Sequence, residues 1–510
     1  MKAILRRGRT CWRMSWAREA GLLVDGRDYY RALYQAARSA RRYILMAGWQ
    51  FDSEVSLLRG DDRPAEGGPV QLLPFLAELC ERNPRLRVYL LAWDFNVLYT
   101  LKREFLQDWW FRWGSHYRIQ FRFDSSHPVG ASHHQKFVVI DGGLAFVGGL
   151  DIAEGYWDDR RHQWDNPLRV TSAGEPFVPR HDVQAYVSGW AAMRLARLFA
   201  YRWRQSGGGR LLLLPPRRRV RVSFEPSAVI ASRRVAISRT FGHTVTPPQK
   251  PVTEIREMYE AAILSAEKLI YIENQYFSAR AVLEALCRRM EDKRRPRLEI
   301  VMILPRQPEA FIEEIGLGTT QAKYLHALTE TAARTGHALG IYNTRAGGEN
   351  PARGLTFIHS KLLLVDDRFL TVGSANMANR SMGFDSELNL AWEATRRRHW
   401  PLRRSLREIR VSLLAEHCGA DEGQRAELAR VEGLVAYLET LAAAPNGRLC
   451  HHRIGSSRLS EWVTALTPHQ LIIDPEKAVI AERLEEMMTS DRDNLFAKGI
   501  ALLNHWLYRR

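Results

Sequence analysis

The chain has 510 residues, 45% hydrophobic and 26% charged, and its 74 Lys and Arg against 57 Asp and Glu leave a formal charge of +17. This length is too great for one ordinary core, and this composition excludes a disordered chain. The positive excess favours polyanions, whether nucleic acid, anionic lipid or phosphorylated small molecules, without choosing among them.

In chain order, the basic stretch from Met1 to Met14 leads into no apolar run, so no secretory signal is expected. Residues 36–44 read as a helix end running into a strand, followed by Gly48-Trp49-Gln50-Phe51. A strand is expected over residues 87–92. Trp109-Trp110-Phe111-Arg112-Trp113, with His116-Tyr117-Arg118 behind it, mixes aromatic and basic side chains as interfacial segments do, a pattern that also suits a packed core helix. Next comes His134-Gln135-Lys136-Phe137-Val138-Val139-Ile140-Asp141, then Gly148-Gly149-Leu150-Asp151. Ser206-Gly207-Gly208-Gly209, Pro215-Pro216 and Arg217-Arg218-Arg219 mark a linker or surface crossover.

Beyond that linker the chain repeats itself. Residues 265–270 lead into Asn274-Gln275-Tyr276-Phe277, as residues 36–44 lead into Gly48-Trp49-Gln50-Phe51. A strand is expected over residues 298–304. His359-Ser360-Lys361-Leu362-Leu363-Leu364-Val365-Asp366 and Gly373-Ser374-Ala375-Asn376 then repeat the earlier motif and turn, and both blocks share nearly one offset. Residues 426–444 are apolar at helical spacing, through Leu428, Val431, Leu434, Val435, Leu438 and Leu441. The β runs are apolar on both faces, as in sheets covered by helices on both sides. The expected fold class is therefore α/β, built as two tandem α-β-α sandwich repeats. The first is residues 1–210 with its motif at 134–141, and the second is residues 211–419 with its motif at 359–366. A mostly helical segment, residues 420–510, caps the second. No stretch reaches the roughly eighteen apolar residues of a spanning helix. Cys11, Cys80, Cys287, Cys418 and Cys450 form no CxxC pair and no zinc spacing, which points to a reducing compartment. A cytoplasmic location with peripheral membrane attachment is expected.

On a strand, residues i and i+2 share a face, so His134 and Lys136 point the same way, as do His359 and Lys361. An imidazole beside an ammonium suits a bound phosphate: the Lys neutralises non-bridging oxygens and the His does covalent or proton-transfer work. One unit supplies half a mechanism. With two, one His forms a phosphohistidine while the other protonates the leaving alkoxide and then activates water or an alcohol. Lysines and small-residue turns carry the charge stabilisation, so no metal and no cofactor is expected. Asp141 and Asp366 have the opposite parity and precede Gly142-Gly143 and Asp367-Arg368, which read as hairpin turns, so they are expected to hold those turns. Gly148-Gly149 and Gly373-Ser374 are small enough for backbone to approach a phosphate. Each His needs a partner on its far nitrogen. Glu387, downstream of His359 in Asp385-Ser386-Glu387, is the candidate there. Asp158 and Asp159 are the candidates for His134, although His162 aligns with Glu387 by offset.

The twin HxKxxxxD motifs resemble those of the phospholipase D superfamily. Further stretches are similar to its lipid-cleaving members: Ile272-Glu273-Asn274-Gln275-Tyr276-Phe277; Gly373 to Asn376 with Arg380-Ser381 and Asp385-Ser386-Glu387; Gly148 to Asp151 with Trp157-Asp158-Asp159; and His181-Asp182-Val183 with Gly189 and Trp203. The resemblance covers residues 20–420, and Tyr156 stands where that group usually has Arg. It implies a bilobal unit with the active site between the repeats. It groups His134, Lys136, Asp141, His359, Lys361 and Asp366 as the catalytic set, with His134 as nucleophile and His359 as acid and base. It implies phosphate binding by Lys136, Lys361 and Asn376, and substrate contacts at Ser374 and at Gly149 and Asp151, which stand where the second half has Ser374 and Asn376.

The activity implied is hydrolysis of the head-group ester of a glycerophospholipid of the phosphatidylcholine type to phosphatidic acid, with transfer to an alcohol. The expected partners are a lipid at a membrane surface and a water or alcohol acceptor. Neither nucleic acid nor a transmembrane segment is expected, and the chain is expected to be a monomer. The larger eukaryotic members carry lipid-binding domains ahead of the first repeat, for which about twenty-five residues here leave no room. Alternatives are a phosphatidyltransferase of the cardiolipin synthase kind, whose members usually carry N-terminal spanning helices, and a nuclease of the same superfamily. A non-catalytic binding descendant is opposed by the two intact His/Lys pairs.

Overall fold

A computed structural model describes residues 3–94, 116–128, 130–214, 222–244, 250–306, 318–348, 354–454 and 474–475. The aromatic–basic segment at 109–113, the Arg217–Arg219 run and most of the chain beyond residue 454 lie outside these residues.

The first half begins with strand β1 (Arg13–Trp16), β2 (Ala20–Val24), helix α1 (Asp25–Arg38) and β3 (Tyr43–Gly48), then α2 (Leu72–Arg82), β4 (Arg87–Trp93) and β5 (Ile119–Asp124). The His-x-Lys motif leads into β6 (Phe137–Ile140) and β7 (Leu144–Gly148), followed by β8 (Arg180–His181), β9 (Val183–Ser188) and α3 (Trp190–Gln205). The second half runs β10 (Ala228–Val229), β11 (Arg234–Phe241), β12 (Val252–Thr253), α4 (Glu254–Ser265), β13 (Leu269–Asn274), α5 (Arg280–Glu291), β14 (Glu299–Ile303), α6 (Thr319–Thr335) and β15 (Ala338–Arg345). It continues through β16 (Leu355–Ile358), β17 (Lys361–Val365), β18 (Phe369–Gly373), α7 (Asn379–Gly383), β19 (Glu387–Glu393) and α8 (Trp400–Cys418).

One sheet has the order β10-β2-β9-β7-β6-β3-β4-β5, and the other follows β1-β11-β19-β18-β17-β13-β14-β15-β16-β8. The sheets have the same plan: β3, β4 and β5 are parallel and β6 is antiparallel to β3, while β13, β14 and β15 are parallel and β17 is antiparallel to β13. Short strands cross between the halves. β1 joins the second sheet, β10 the first, and β8 lies parallel to β16.

Strand alternation builds the layers. Ile44, Met46, Val138 and Ile140 point outward to α1 and α2, whereas Leu45, Ala47, Phe137 and Val139 point to a central core. Leu363 and Val365 point outward to α4, α5 and α6, while Leu362 and Leu364 enter that same central core. α3 and α8 pack there too, so one apolar layer is shared by both sheets. The fold is mixed α/β, and the two-faced burial expected from the apolar runs holds in both sheets. Among the described residues the C-terminal part is mainly helical up to residue 443, but the apolar run at 426–444 is not one helix. It forms α9 (Glu422–Leu428) and α10 (Leu434–Ala443), separated by residues 429–433, and Gly433, at φ 75°, stands just ahead of α10. A short strand, β20 (Leu449–His451), then pairs with β15. No helix among the described residues is long and apolar enough to cross a membrane.

The motif aspartates sit at the far ends of their strands. Asp141 and Gly142 (φ 49° and 63°) and Asp366 and Asp367 (φ 55° and 46°) are the central residues of two tight hairpin turns, the type that needs two left-handed residues. Asp141 accepts hydrogen bonds from the backbone N–H groups of Arg41, Arg42 and Tyr43 at 2.8–2.9 Å. Asp366 accepts those of Glu267, Lys268 and Leu269 at 2.7–2.9 Å. Each carboxylate thus caps the entry to the neighbouring central strand. Asp141→Ala removes three charge-assisted bonds and puts a Cβ-only side chain at positive φ, so it should cost about 2–4 kcal/mol of stability. Chemical denaturation should read this as an early transition, with Asp141→Asn intermediate. The fraction that stays folded should keep its turnover within a few-fold.

Candidate active site

Both motif histidines lie just ahead of a strand, and each is held by the opposite half. The His134 N–H donates to the Ser386 carbonyl at 3.0 Å, and its Nδ1 meets Glu387 Oε1 at 3.0 Å. The His359 N–H donates to the His181 carbonyl at 2.8 Å, and its Nδ1 meets Asp182 Oδ2 at 2.5 Å. Asp182 immediately precedes β9 and Glu387 opens β19, so equivalent strands supply both carboxylates. A carboxylate on Nδ1 keeps the hydrogen there and leaves Nε2 of each ring for a substrate.

This pairing corrects the sequence-based assignment. Glu387 serves His134 and not His359, and neither Asp158 nor Asp159 bonds a motif ring. Asp158 binds His162 Nδ1, Arg169 and the Arg180 N–H, while Asp159 binds Arg161 and Asn166. Spacing misleads here because Asp182 follows His134 at a longer interval than Glu387 follows His359. Extra residues in the first half break the constant offset before it reaches this strand.

The two histidines line one cleft of about 540 Å³, together with Lys136, Asp151, Gln50 and Asn376. Its walls include Trp49 and Trp93, stacked at 5.5 Å and 26°, and also Tyr276, Glu154 and Asp385. Tyr156 meets the His359 ring edge-on at 5.4 Å. Arg180 holds its guanidinium 4.6 Å over Tyr156 and 4.9 Å over Phe357, so a cation does reach this wall despite the Tyr at 156.

Burial, then Lys136 and Lys361, push the His134 imidazole well below its usual range. Burial, then Lys361 and Arg180, do the same to His359. Both rings are therefore neutral in the free cleft. Burial brings the Lys361 ammonium down to about 7. It also pushes the Glu387 carboxyl up, but the hydroxyl donors Ser374 Oγ at 2.5 Å and Ser381 Oγ at 2.6 Å oppose this and favour the carboxylate that accepts the His134 Nδ1 hydrogen.

The remaining candidates divide. Lys136 opens onto the cleft with Nζ 3.1 Å from Asp151 Oδ2. Lys361 is fully buried behind it, 2.9 Å from Gln275 Oε1 and against the His359 carbonyl. Asn376 lines the cleft with its Oδ1 buried and without a hydrogen-bond partner, and Gln50 Oε1 is placed likewise. Gly149 and Ser374 do not line it. Ser374 bonds Glu387, and a Cβ at Gly149 would strike the Asp182 carboxylate, so these small residues make room for the histidines' partners and not for phosphate. Asp141 and Asp366 are absent from the lining. The sequence reading misses Asp182, although His181-Asp182 and Ser386-Glu387 each stand before a strand. Gln50 is visible as the repeat of Gln275, and nothing in the sequence marks Trp93, Glu154 or Arg180.

Two neutral imidazoles facing one cavity, flanked by an ammonium and a carboxamide whose NH₂ can donate, can hold a phosphate and carry both a covalent bond and a proton. The comparisons agree with that chemistry. Residues 259–401 match the family model described as "Cardiolipin synthase, PLD-like domain". The chain is 25% identical to phospholipase D alpha 1 of Ricinus communis over 78% of this chain and 65% of that protein. It is likewise 25% identical to phospholipase D alpha 1 of Vigna unguiculata, over 79% and 66%. The chain thus spans about two-thirds of the length of these relatives. The crystal structure of phosphatidylserine synthase from Haemophilus influenzae Rd KW20 shares the fold, with a TM-score of 0.52 over 84% of this chain and 94% of that one at 15% identity. These similarities are all to the phospholipase D superfamily, a group of phosphodiesterases and phosphatidyltransferases.

Proposed function

We propose that this protein is a phospholipase D that cleaves the head-group phosphodiester of a phosphatidylcholine-type lipid, giving phosphatidic acid, or a phosphatidyl alcohol when an alcohol is the acceptor. The observation that carries this reading is the pair of imidazoles, one from each half, lining a single cleft with carboxylates on their outer nitrogens. Neutral His134 attacks phosphorus through Nε2, forming the N–P bond as the P–O bond to the head group breaks. His359 Nε2–H gives its proton to the departing oxygen. The phosphodiester anion, bound beside Lys136 and Asn376, supplies the negative charge that lets His359 carry that proton. His359 then takes a proton from water or alcohol, whose oxygen displaces His134 from phosphorus. Stacked Trp49 and Trp93, Tyr276 and the Glu154 carboxylate offer a cationic head group aromatic faces and a counter-charge. A second reading, transfer to a lipid alcohol, is favoured by the family-model match and differs only in the acceptor.

The test is purified protein with phosphatidylcholine vesicles and ethanol. Phosphatidylethanol and choline are expected. Diphosphatidyl product from phosphatidylglycerol without choline release would favour the transferase, and cleavage of single-stranded DNA without lipid turnover would refute both. The pH profile follows from the site's charges. His134, with its pKa lowered, stays neutral on the acid side, so kcat/KM should show no decline from about pH 6.5 to 5.5. Lys361 loses its charge as pH rises through about 7, which makes the site less positive, so kcat/KM for an anionic phosphodiester group should fall above about pH 7. An acid limb with its midpoint above 6.5 would contradict the neutral nucleophile.

A further inference from the structure

The two halves bring different cations to the cleft. Lys136 lines it beside His134. Its counterpart Lys361 is fully buried behind the wall, 2.9 Å from Gln275 Oε1 and against the His359 carbonyl. Arg380 also lines the cleft, but it holds Asp385 through two N–H groups at 3.0 Å. On the His359 side the cation in the lining is Arg180.

We propose that Arg180 is a further substrate-binding residue, its guanidinium holding a non-bridging phosphate oxygen beside His359 as Lys136 does beside His134; this rests on the cleft being a phosphodiester site, not on which lipid or acceptor it takes. Three observations support it. The first is placement. Arg180 and Asp182 stand two residues apart where β8 leads into β9, so they share a face. Asp182 meets His359 Nδ1. The Arg180 guanidinium lies 4.6 Å over Tyr156 and 4.9 Å over Phe357, and those rings stand 5.4 and 6.2 Å from the His359 imidazole.

The second is preorganisation. Besides the two rings, the Arg180 N–H donates to Asp158 at 2.9 Å, and its backbone pairs with Phe357 between β8 and β16. A cation fixed before the substrate arrives needs little ordering on binding. A guanidinium resting on aromatic faces can still donate along its edge, and that planar fork matches two phosphate oxygens.

The third is charge balance. Among the described residues the lining carries Lys136, Arg180 and Arg380 against Asp151, Glu154 and Asp385. Lys136 faces Asp151 at 3.1 Å, and Arg380 is committed to Asp385. Without Arg180, carboxylates would outnumber cations in a cleft that must admit an anion. Arg180 is buried, so its field is weakly screened. That field reaches His359, where it helps to hold the ring neutral and makes the protonated ring a stronger acid toward the departing oxygen.

The test uses the full chain and two readouts. Arg180→Gln keeps a planar amide against the two rings. It should weaken binding of inorganic tungstate by at least about tenfold in calorimetry, and lower kcat/KM for a nitrophenyl phosphodiester about 10–100-fold. Arg180→Lys, which keeps the charge and loses the fork, should fall between. The second readout is stereochemical. The two diastereomers of a phosphorothioate diester put sulfur in place of one or the other non-bridging oxygen, and only one of these positions faces the guanidinium. Arg180→Gln should therefore change the ratio of their rates about tenfold, whereas lost packing alone slows both alike. If the glutamine variant does not fold, Arg180→Lys carries both measurements, with smaller changes in the same directions. Either readout unchanged in folded variant protein would overturn the proposal. Wild-type protein inactive on phosphatidylcholine would refute the lipid assignment alone, because tungstate and the nitrophenyl ester report on Arg180 without a lipid.

Discussion

Replacing either motif histidine by asparagine should lower phosphodiester turnover by at least about a thousandfold, and the two variants should fail at different steps. Asparagine is preferred to alanine because its amide can still donate to Glu387 or Asp182, so no buried carboxylate is left unpaired. With a nitrophenyl phosphodiester, the leaving group needs no proton. His359→Asn should then release about one nitrophenol per chain and stall, because nothing remains to activate water. His134→Asn should release none. A burst from His134→Asn instead of His359→Asn would reverse the two roles. Equal residual steady-state rates in both variants, without any burst, would remove the covalent intermediate.

Glu387→Gln carries the next largest effect. The Glu387 carboxylate takes hydroxyl hydrogens from Ser374 and Ser381 and faces His134 Nδ1. Ser374 donates to Oε2 and Ser381 to Oε1, so glutamine keeps an acceptor for only one of them and puts its NH₂ beside the other and beside Nδ1, which lies 3.0–3.1 Å from both atoms. The acceptor that holds the hydrogen on Nδ1 is weakened, so the tautomer with its hydrogen on Nε2, where the attacking lone pair is needed, gains ground. A fall in kcat of about two to four orders of magnitude is expected, with KM changed little. The nitrophenyl burst should vanish as well, since the first step is the one affected. If Glu387 served His359, as its place downstream in the same half invites one to expect, the burst would survive.

The duplication and its chemistry are readable in the chain itself. Two copies of His-x-Lys before an apolar strand, followed by Asp and a turn, define both strand parity and turn position. The turns do fall at Asp141-Gly142 and Asp366-Asp367. The helix-to-strand blocks at 36–44 and 265–270 are α1 into β3 and α4 into β13. These features depend on periods of 2 and 3.6 and on left-handed turn residues, all local. The C-terminal run reads as one helix because apolar spacing continues through Val431, while the chain leaves the helix over residues 429–433, the last of them Gly433 at positive φ.

Partnership between side chains is a different matter. Nothing local says that Glu387 reaches His134, 253 residues away, or that Asp182 reaches His359, 177 residues away. Those pairings arise because the halves face each other, so a carboxylate at the mouth of one sheet lies nearer the other half's histidine than its own. The same confrontation turns Gly149 and Ser374 from expected phosphate contacts into supports. Residue types and their spacing thus specify which chemistry the chain carries, because side-chain direction along a strand is set locally. Which groups complete each other's hydrogen bonds follows only once two sheets close around a shared core.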